Sequence, residues 1–63
     1  MDIEYFTYEI KHETESAYLI TDDYQDVWIP KSQIEDEKKF FSNGIEYLEF
    51  GIPEWLASDK GLG

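Results

Sequence analysis

The absence of cysteine restricts the fold most, because the chain is only 63 residues long. A domain of this size buries about 60% of the surface that its unfolded chain exposes, so its margin of stability is small. One histidine without cysteine does not supply a zinc site within one chain, and disulfides are excluded. Packing of the eleven aromatic rings therefore has to stabilise the fold. We expect one small acidic domain over residues 1–63, without a cofactor.

The first half of the chain predicts three β-strands. Residues 2–11, 17–22 and 26–29 are rich in side chains that favour strands, and a polar turn at 12–16 separates the first two. The short polar link DYQ joins the second and third strands as a hairpin. Because apolar groups occur on both faces of the first segment, we expect this strand to be covered on both sides or bulged.

The second half begins with a short helical turn. Pro30 ends the third strand and starts the turn PKSQI, which aims Ile34 at the core. Residues 38–41 form either a fourth strand or a continuation of that turn. The segment SNG at 42–44 predicts a tight turn, since Asn-Gly tolerates positive φ, and residues 45–50 then alternate as a strand.

The final segment predicts a helix. Pro53 suits its first position, Gly61 suits its C-cap, and Trp55 and Leu56 are expected to pack it against the sheet. Together these segments predict a mostly β fold with four or five short antiparallel strands and a C-terminal helix. We expect either a small curled sheet or an SH3-like barrel.

Charge excludes several classes of partner. Fifteen Asp and Glu residues oppose five Lys, with no Arg, and the net charge is −10. Binding to a phosphate backbone depends on lysine and arginine, so direct nucleic-acid binding and binding to anionic membranes are not expected. The charge favours a basic protein surface as partner, although a solvated coat that keeps the protein in solution explains it equally well.

No pattern of residues predicts catalysis or a metal site. The acidic segments 22–26 and 35–37 lack the glycine and the terminal Glu of a calcium loop. His12 is the sole candidate base for the serines, and nothing in the sequence orients it. The glycines form no phosphate-binding run. We therefore expect a binding protein and not an enzyme.

The candidate partner-binding residues are acidic or aromatic. Carboxylates interleaved with rings can both attract and hold a basic partner. The segment VWIPKSQI has two interpretations, a tight turn whose geometry explains its residues, or an exposed contact patch. The full set is Glu13, Glu15, Asp22, Asp23, Tyr24, Asp26, Trp28, Lys31, Glu35, Asp36 and Glu37.

Three phrases carry a resemblance. Val27 to Ile34 reads VWIPKSQI, Pro53 to Ala57 reads PEWLA, and Lys60 to Leu62 reads KGL. The order of these phrases resembles a group of small uncharacterised phage and prophage proteins with a W(I/L)PKSQI phrase followed by PEWLA and KGL. The resemblance covers roughly the C-terminal two-thirds of the chain. It implies an origin in a phage or another mobile element and assigns no activity to any residue.

Two functions follow as hypotheses. The first is a nucleic-acid mimic that occupies the basic groove of a host nuclease, CRISPR effector, restriction enzyme or glycosylase. The second is an accessory module that binds a phage protein of a replication, recombination or assembly complex through an apolar patch or a sheet edge. Because residues 1–10 resemble no signal peptide and no apolar run could span a bilayer, we expect a soluble protein of the host cytoplasm. It could be a monomer or a dimer.

Overall fold

Five antiparallel strands form one sheet, and a short helix follows. The computed structural model describes residues 2–62. Its elements are β1 (Ile3–Glu13), β2 (Ala17–Thr21), β3 (Asp26–Pro30), a 3-10 turn (Lys31–Gln33), β4 (Glu35–Ser42), β5 (Ile45–Pro53) and α1 (Glu54–Lys60). The predicted mostly β fold is confirmed, and residues 38–41 belong to a strand.

The strand order is β3-β2-β1-β5-β4, so β1 lies at the centre and pairs with both β2 and β5. Side chains of β2 and β4 nevertheless meet, because the Tyr18 hydroxyl donates a hydrogen bond to Glu37. In a flat sheet, β2 and β4 would lie three strand spacings of about 4.8 Å apart, too far for this hydrogen bond. The sheet is therefore strongly curled, but β3 and β4 do not pair and no barrel closes.

The core fills the inner, concave face of the sheet. Buried side chains alternate along β2, β3 and β5 and meet residues of the C-terminal segment; they are Tyr18, Ile20, Val27, Ile29, Leu48, Phe50, Ile52, Leu56, Ala57 and Leu62. Phe6, Tyr8, Ile10 and Ile34 pack at the margin of this cluster. The prediction that Trp55 packs against the sheet is wrong. Its side chain is 52% exposed, because the helix turns Leu56 and Ala57 inward.

A bulge in β1 determines on which face of the sheet the Glu13 side chain lies. The pairing with β2 shifts between Ile10 and His12, so Lys11 is an extra residue. Without it, alternation from Ile10 would turn Glu13 outward. With it, His12 pairs with Leu19 on the outer face and Glu13 pairs with buried Tyr18 on the inner face.

Glycines and one amide fix the remaining turns. Asn43 and Gly44 have φ of 54° and 80°, as a two-residue hairpin turn requires. Gly61 ends α1 with φ of 75°. The Gln25 side-chain amide donates to the backbone oxygen of Lys60 at 3.2 Å, which ties the β2–β3 loop to the helix end. Within residues 2–62, no helix has the length and apolar character needed to cross a membrane.

Candidate functional site

An ion cluster lies at the inner face, where β1, β2, β4 and the 3-10 turn meet. The Glu13 carboxylate accepts hydrogen bonds from the Lys31 ammonium at 2.6 Å and from the Lys39 ammonium at 3.1 Å. Both ammonium groups lie over the Tyr18 ring, at 4.8 and 5.7 Å from its centroid. We name Glu13, Tyr18, Lys31, Glu37 and Lys39 the inner cluster.

Contacts within the inner cluster shift the pKa of Glu13, of Lys39 and of Tyr18. The hydrogen bond from Lys31, reinforced by that from Lys39, lowers the pKa of Glu13. The Glu13 carboxylate in turn raises the pKa of Lys39. Burial, followed by the hydrogen bond to Glu37, raises the pKa of Tyr18. Their hydrogen bonds engage Glu13 and Glu37 within the chain, while both residues and Lys39 keep side-chain surface exposed to solvent.

A second bulge, at the start of β4, sends two neighbouring carboxylates in opposite directions. The pairing with β5 shifts between Glu35 and Lys38, and Asp36 has φ of 55°. Asp36 accepts a hydrogen bond of 2.9 Å from the Tyr5 hydroxyl on the outer face, which raises the pKa of Tyr5. Glu37 accepts from Tyr18 on the inner face. Both carboxylates are thus held by tyrosines of the same chain.

The outer face of the sheet carries aromatic residues that no described element covers. Tyr5, Trp28, Phe40 and Ile45 are each between 36% and 59% exposed. Phe40 and Tyr47 stack with ring centroids 5.6 Å apart, and Trp28 meets His12 edge-on at 6.2 Å. An open antiparallel sheet usually presents polar residues to water, so this composition favours contact with another molecule.

A cavity of about 250 Å³ opens in this outer face, and we name it the outer pocket. It is lined by Thr7, Tyr8, Glu9, Thr21, Asp22, Asp23 and Tyr47. The pairings of Glu9 with Thr21 and with Tyr47 place β2, β1 and β5 side by side across its floor. Three acidic residues, two threonines and two tyrosines thus border a single concavity.

The loop that borders the outer pocket is fixed by its own hydrogen bonds. The Asp22 carboxylate accepts from the backbone N–H groups of Tyr24 and Gln25, each at 3.0 Å. The bond from Tyr24 is the main reason that the pKa of Asp22 lies below its usual value, so this group stays ionised in mild acid. Asp23 has φ of 78° and Tyr24, at the loop tip, is 96% exposed. The loop therefore presents two carboxylates and one ring in a defined geometry.

The predicted partner-binding residues fall into four places. Asp22, Asp23, Tyr24 and Asp26 lie at one end of β2 and of its hairpin with β3. Glu15 lies in the turn at the opposite end of β2, about 20 Å away at roughly 3.3 Å per residue. Trp28 and Glu35 lie on the outer face, where Asp36 also accepts its hydrogen bond from Tyr5. Glu13, Lys31 and Glu37 belong to the inner cluster.

Sequence reasoning missed Thr7, Glu9, Tyr47 and Glu49 as parts of one surface. Strand pairing joins Thr7 with Glu49 and Glu9 with Tyr47 on the outer face. Alternation along residues 45–50 did place Tyr47 and Glu49 on one side. The neighbour relation of β1 and β5 was the missing information, because these strands are far apart in the sequence.

Among residues 2–62, no group of three or more His, Asp or Glu side chains is arranged to hold a metal ion. The chain matches no family model, no curated protein and no solved structure.

Proposed function

We propose that this protein is a non-catalytic inhibitor that mimics nucleic acid. It binds the basic groove of a DNA-acting host enzyme in the cytoplasm, such as a CRISPR effector or a restriction enzyme, and blocks it without turnover. The proposed origin in a phage or another mobile element follows from the resemblance of the VWIPKSQI and PEWLA phrases.

The observation that supports this proposal is the lack of internal charge neutralisation. Of the fifteen Asp and Glu side chains, only Glu13 has a lysine ammonium within 4.0 Å in the described part of the chain. Fourteen carboxylates therefore have no lysine partner, and no charged side chain is buried among residues 2–62. So dense a negative field on a protein of 7.5 kDa attracts basic surfaces at long range.

The outer face and the β2–β3 loop form the proposed contact surface. Glu9, Asp22, Asp23, Asp26 and Glu49 occupy neighbouring positions there, and Tyr24 is the most exposed ring of the chain. Carboxylates on diagonal positions of adjacent strands are about 7–8 Å apart. Such an array can pair with several lysine and arginine side chains of a groove at once.

A pull-down from host lysate tests the proposal. The tagged protein is washed at low salt and then at high salt, and the proteins it retains are identified by mass spectrometry. We expect a basic DNA-acting enzyme that is retained at low salt, is released by high salt and is displaced by a competing DNA duplex. Such a partner should also lose enzymatic activity when the acidic protein is added.

A matched pair of variants separates a defined surface from charge in general. D22K/D23K and E15K/E54K change the net charge equally, but only the first alters the proposed surface. We expect the first variant to lose inhibition at least tenfold and the second to retain most of it. Equal loss in both variants, or inhibition that ignores salt and both variants, contradicts the proposal.

One observation favours the accessory-module function as a second candidate. All eight residues of β4 are exposed, and its outer edge pairs with no described strand. Phe41, on this strand, is 71% exposed. An edge of this kind can accept a strand of a phage protein. A phage-encoded partner that survives the high-salt wash and is lost in F41S supports this candidate over the mimic.

A further inference from the structure

The outer pocket has the size of a site for one side chain. Its volume of about 250 Å³ lies below the roughly 300–1,000 Å³ of sites for small molecules. It opens on an uncovered sheet face with exposed aromatic residues, and such residues commonly anchor contacts between proteins. A single long side chain projecting from a partner therefore suits it better than a free ligand does.

The charge of the pocket identifies the kind of side chain. Glu9, Asp22 and Asp23 line it, and none has a lysine ammonium within 4.0 Å in the described part of the chain. One oxygen of Asp22 accepts from backbone N–H groups, and the Gln25 side chain also bonds this carboxylate, so Asp22 is held in place and contributes its negative charge to the pocket. The complementary occupant is a cation.

Tyr47 distinguishes between the two cationic side chains. Its ring lines the pocket and stacks on Phe40 at an interplanar angle of 20°. A planar guanidinium can continue this stack and donate paired hydrogen bonds to carboxylates, whereas an ammonium is a compact point charge. Thr7 and Thr21 also line the pocket, and the Thr21 hydroxyl is held by the loop, where it donates to the backbone oxygen of Gln25 and accepts from the N–H of Asp23.

We propose that the outer pocket accepts an arginine side chain of the protein partner, with the guanidinium between Tyr47 and the carboxylates of Glu9, Asp22 and Asp23. This inference rests on the proposed function, in which the partner presents a basic groove. It adds that arginine, and not positive charge alone, determines which basic surfaces are bound at this face.

Two peptides of equal charge test the inference. Nona-arginine and nona-lysine are titrated into the isotopically labelled protein, and affinities and amide shifts are measured by NMR at fixed salt. We expect nona-arginine to bind at least fivefold more tightly, with the largest shifts at Thr7, Glu9, Thr21 and Tyr47. Equal affinities, or shifts spread evenly over the acidic surface, overturn the inference.

Three variants locate the preference. Y47A should reduce the arginine-to-lysine affinity ratio to near one, and W55A, which removes an exposed ring of the helix outside the contact surface, should leave the ratio unchanged. T7K places a fixed cation at the rim and should reduce the ratio even if Y47A does not fold. A ratio that is unchanged in T7K, or that falls as much in W55A, overturns the inference.

The two proposals can fail separately. If the pull-down retains an enzyme that DNA displaces, but the two peptides bind with equal affinity, the arginine pocket is contradicted and the proposed nucleic-acid mimicry stands. An arginine preference without any DNA-displaceable partner contradicts the mimic and leaves the pocket.

Discussion

The inner cluster and the outer pocket contain the same kinds of side chain in opposite states. In the inner cluster, Glu13 accepts from two lysines that also lie over the ring of Tyr18. In the outer pocket, three carboxylates border the ring of Tyr47 with no lysine among the lining residues. The two regions differ in their lysines. Where the fold brings lysines to the carboxylates and the ring, these side chains bond one another; where it does not, they stay available to a partner.

Removing each tyrosine should give the largest difference between the two regions. Tyr18 is 1% exposed, so Y18A should lower the free energy of unfolding by about 3 kcal/mol or more. Tyr47 lies on the outer face, and Y47A should lower it by less than about 1 kcal/mol. Urea denaturation followed by far-UV circular dichroism measures both. Similar losses in the two variants would remove the distinction between a structural and an available ring.

A methyl group added to the outer face should have an intermediate effect. A Cβ at Gly51 would lie 2.7 Å from the Tyr5 ring and 2.8 Å from an Ile3 methyl. G51A should therefore cost about 1 kcal/mol, because these side chains must shift. The loss should be smaller in a Y5A background, where one of the two obstacles is gone. A full loss in that background would show that the strand itself, and not the ring, resists the change.

Lowering the pH should remove the stabilising contribution of Glu13 in the inner cluster, and should have less effect on that of Glu15, an exposed turn residue. The pKa of Glu13 is lowered in the folded state, so its stabilising contribution is complete above its unfolded value of about 4.5 and disappears as pH falls through the lowered folded value. Thermal midpoints of wild type and E13Q should differ at pH 7 and converge as the pH falls below 4.5 and through the lowered folded pKa of Glu13. E15Q has the same charge and alters an exposed turn residue, so its difference from wild type should depend less on pH. A constant gap for E13Q contradicts the assigned role of Glu13.

Two neighbouring lysines should give the smallest but most selective effect. Lys38 lies on the outer face opposite Glu49, whereas Lys39 belongs to the inner cluster. K38Q and K39Q change the net charge equally. K38Q should strengthen binding of nona-arginine about twofold to threefold, or roughly 0.5 kcal/mol, with little change in stability. K39Q should instead lower the urea midpoint. Interchangeable behaviour of the two variants would mean that net charge alone governs binding.

Much of the fold could be predicted, because alternation and turn residues act locally. Four of the five strands, the Asn43-Gly44 turn and the Gly61 cap were predicted, whereas the sequence left residues 38–41 open between a strand and a helical turn. The two bulges were not located, since each inserts a residue without a glycine to mark it, and Asp36 adopts positive φ in place of one. For this reason Glu13 and Glu37 were grouped with the carboxylates expected to bind a partner, although their contacts are internal.

The outer pocket could not be predicted for a different physical reason. Its walls come from β1, the β2–β3 loop and β5, and no local pattern tells which strands become neighbours. Asp22 and Asp23 were selected from composition alone. Glu9 and Tyr47 join them only through the pairing of β1 with β5.

The central place of β1 also governs when the fold can form. Its ladder with β5 joins residues between 38 positions apart, for Glu9 and Tyr47, and 50 positions apart, for Ile3 and Pro53. Contacts so distant in sequence slow folding, because a long loop must close before they form. Because a ribosome synthesises β1 before β5, the ladder between these two strands cannot form until β5 has been made. Until then the newly made chain carries an unpaired edge along its most central strand, and it depends on rapid completion to avoid pairing with other chains.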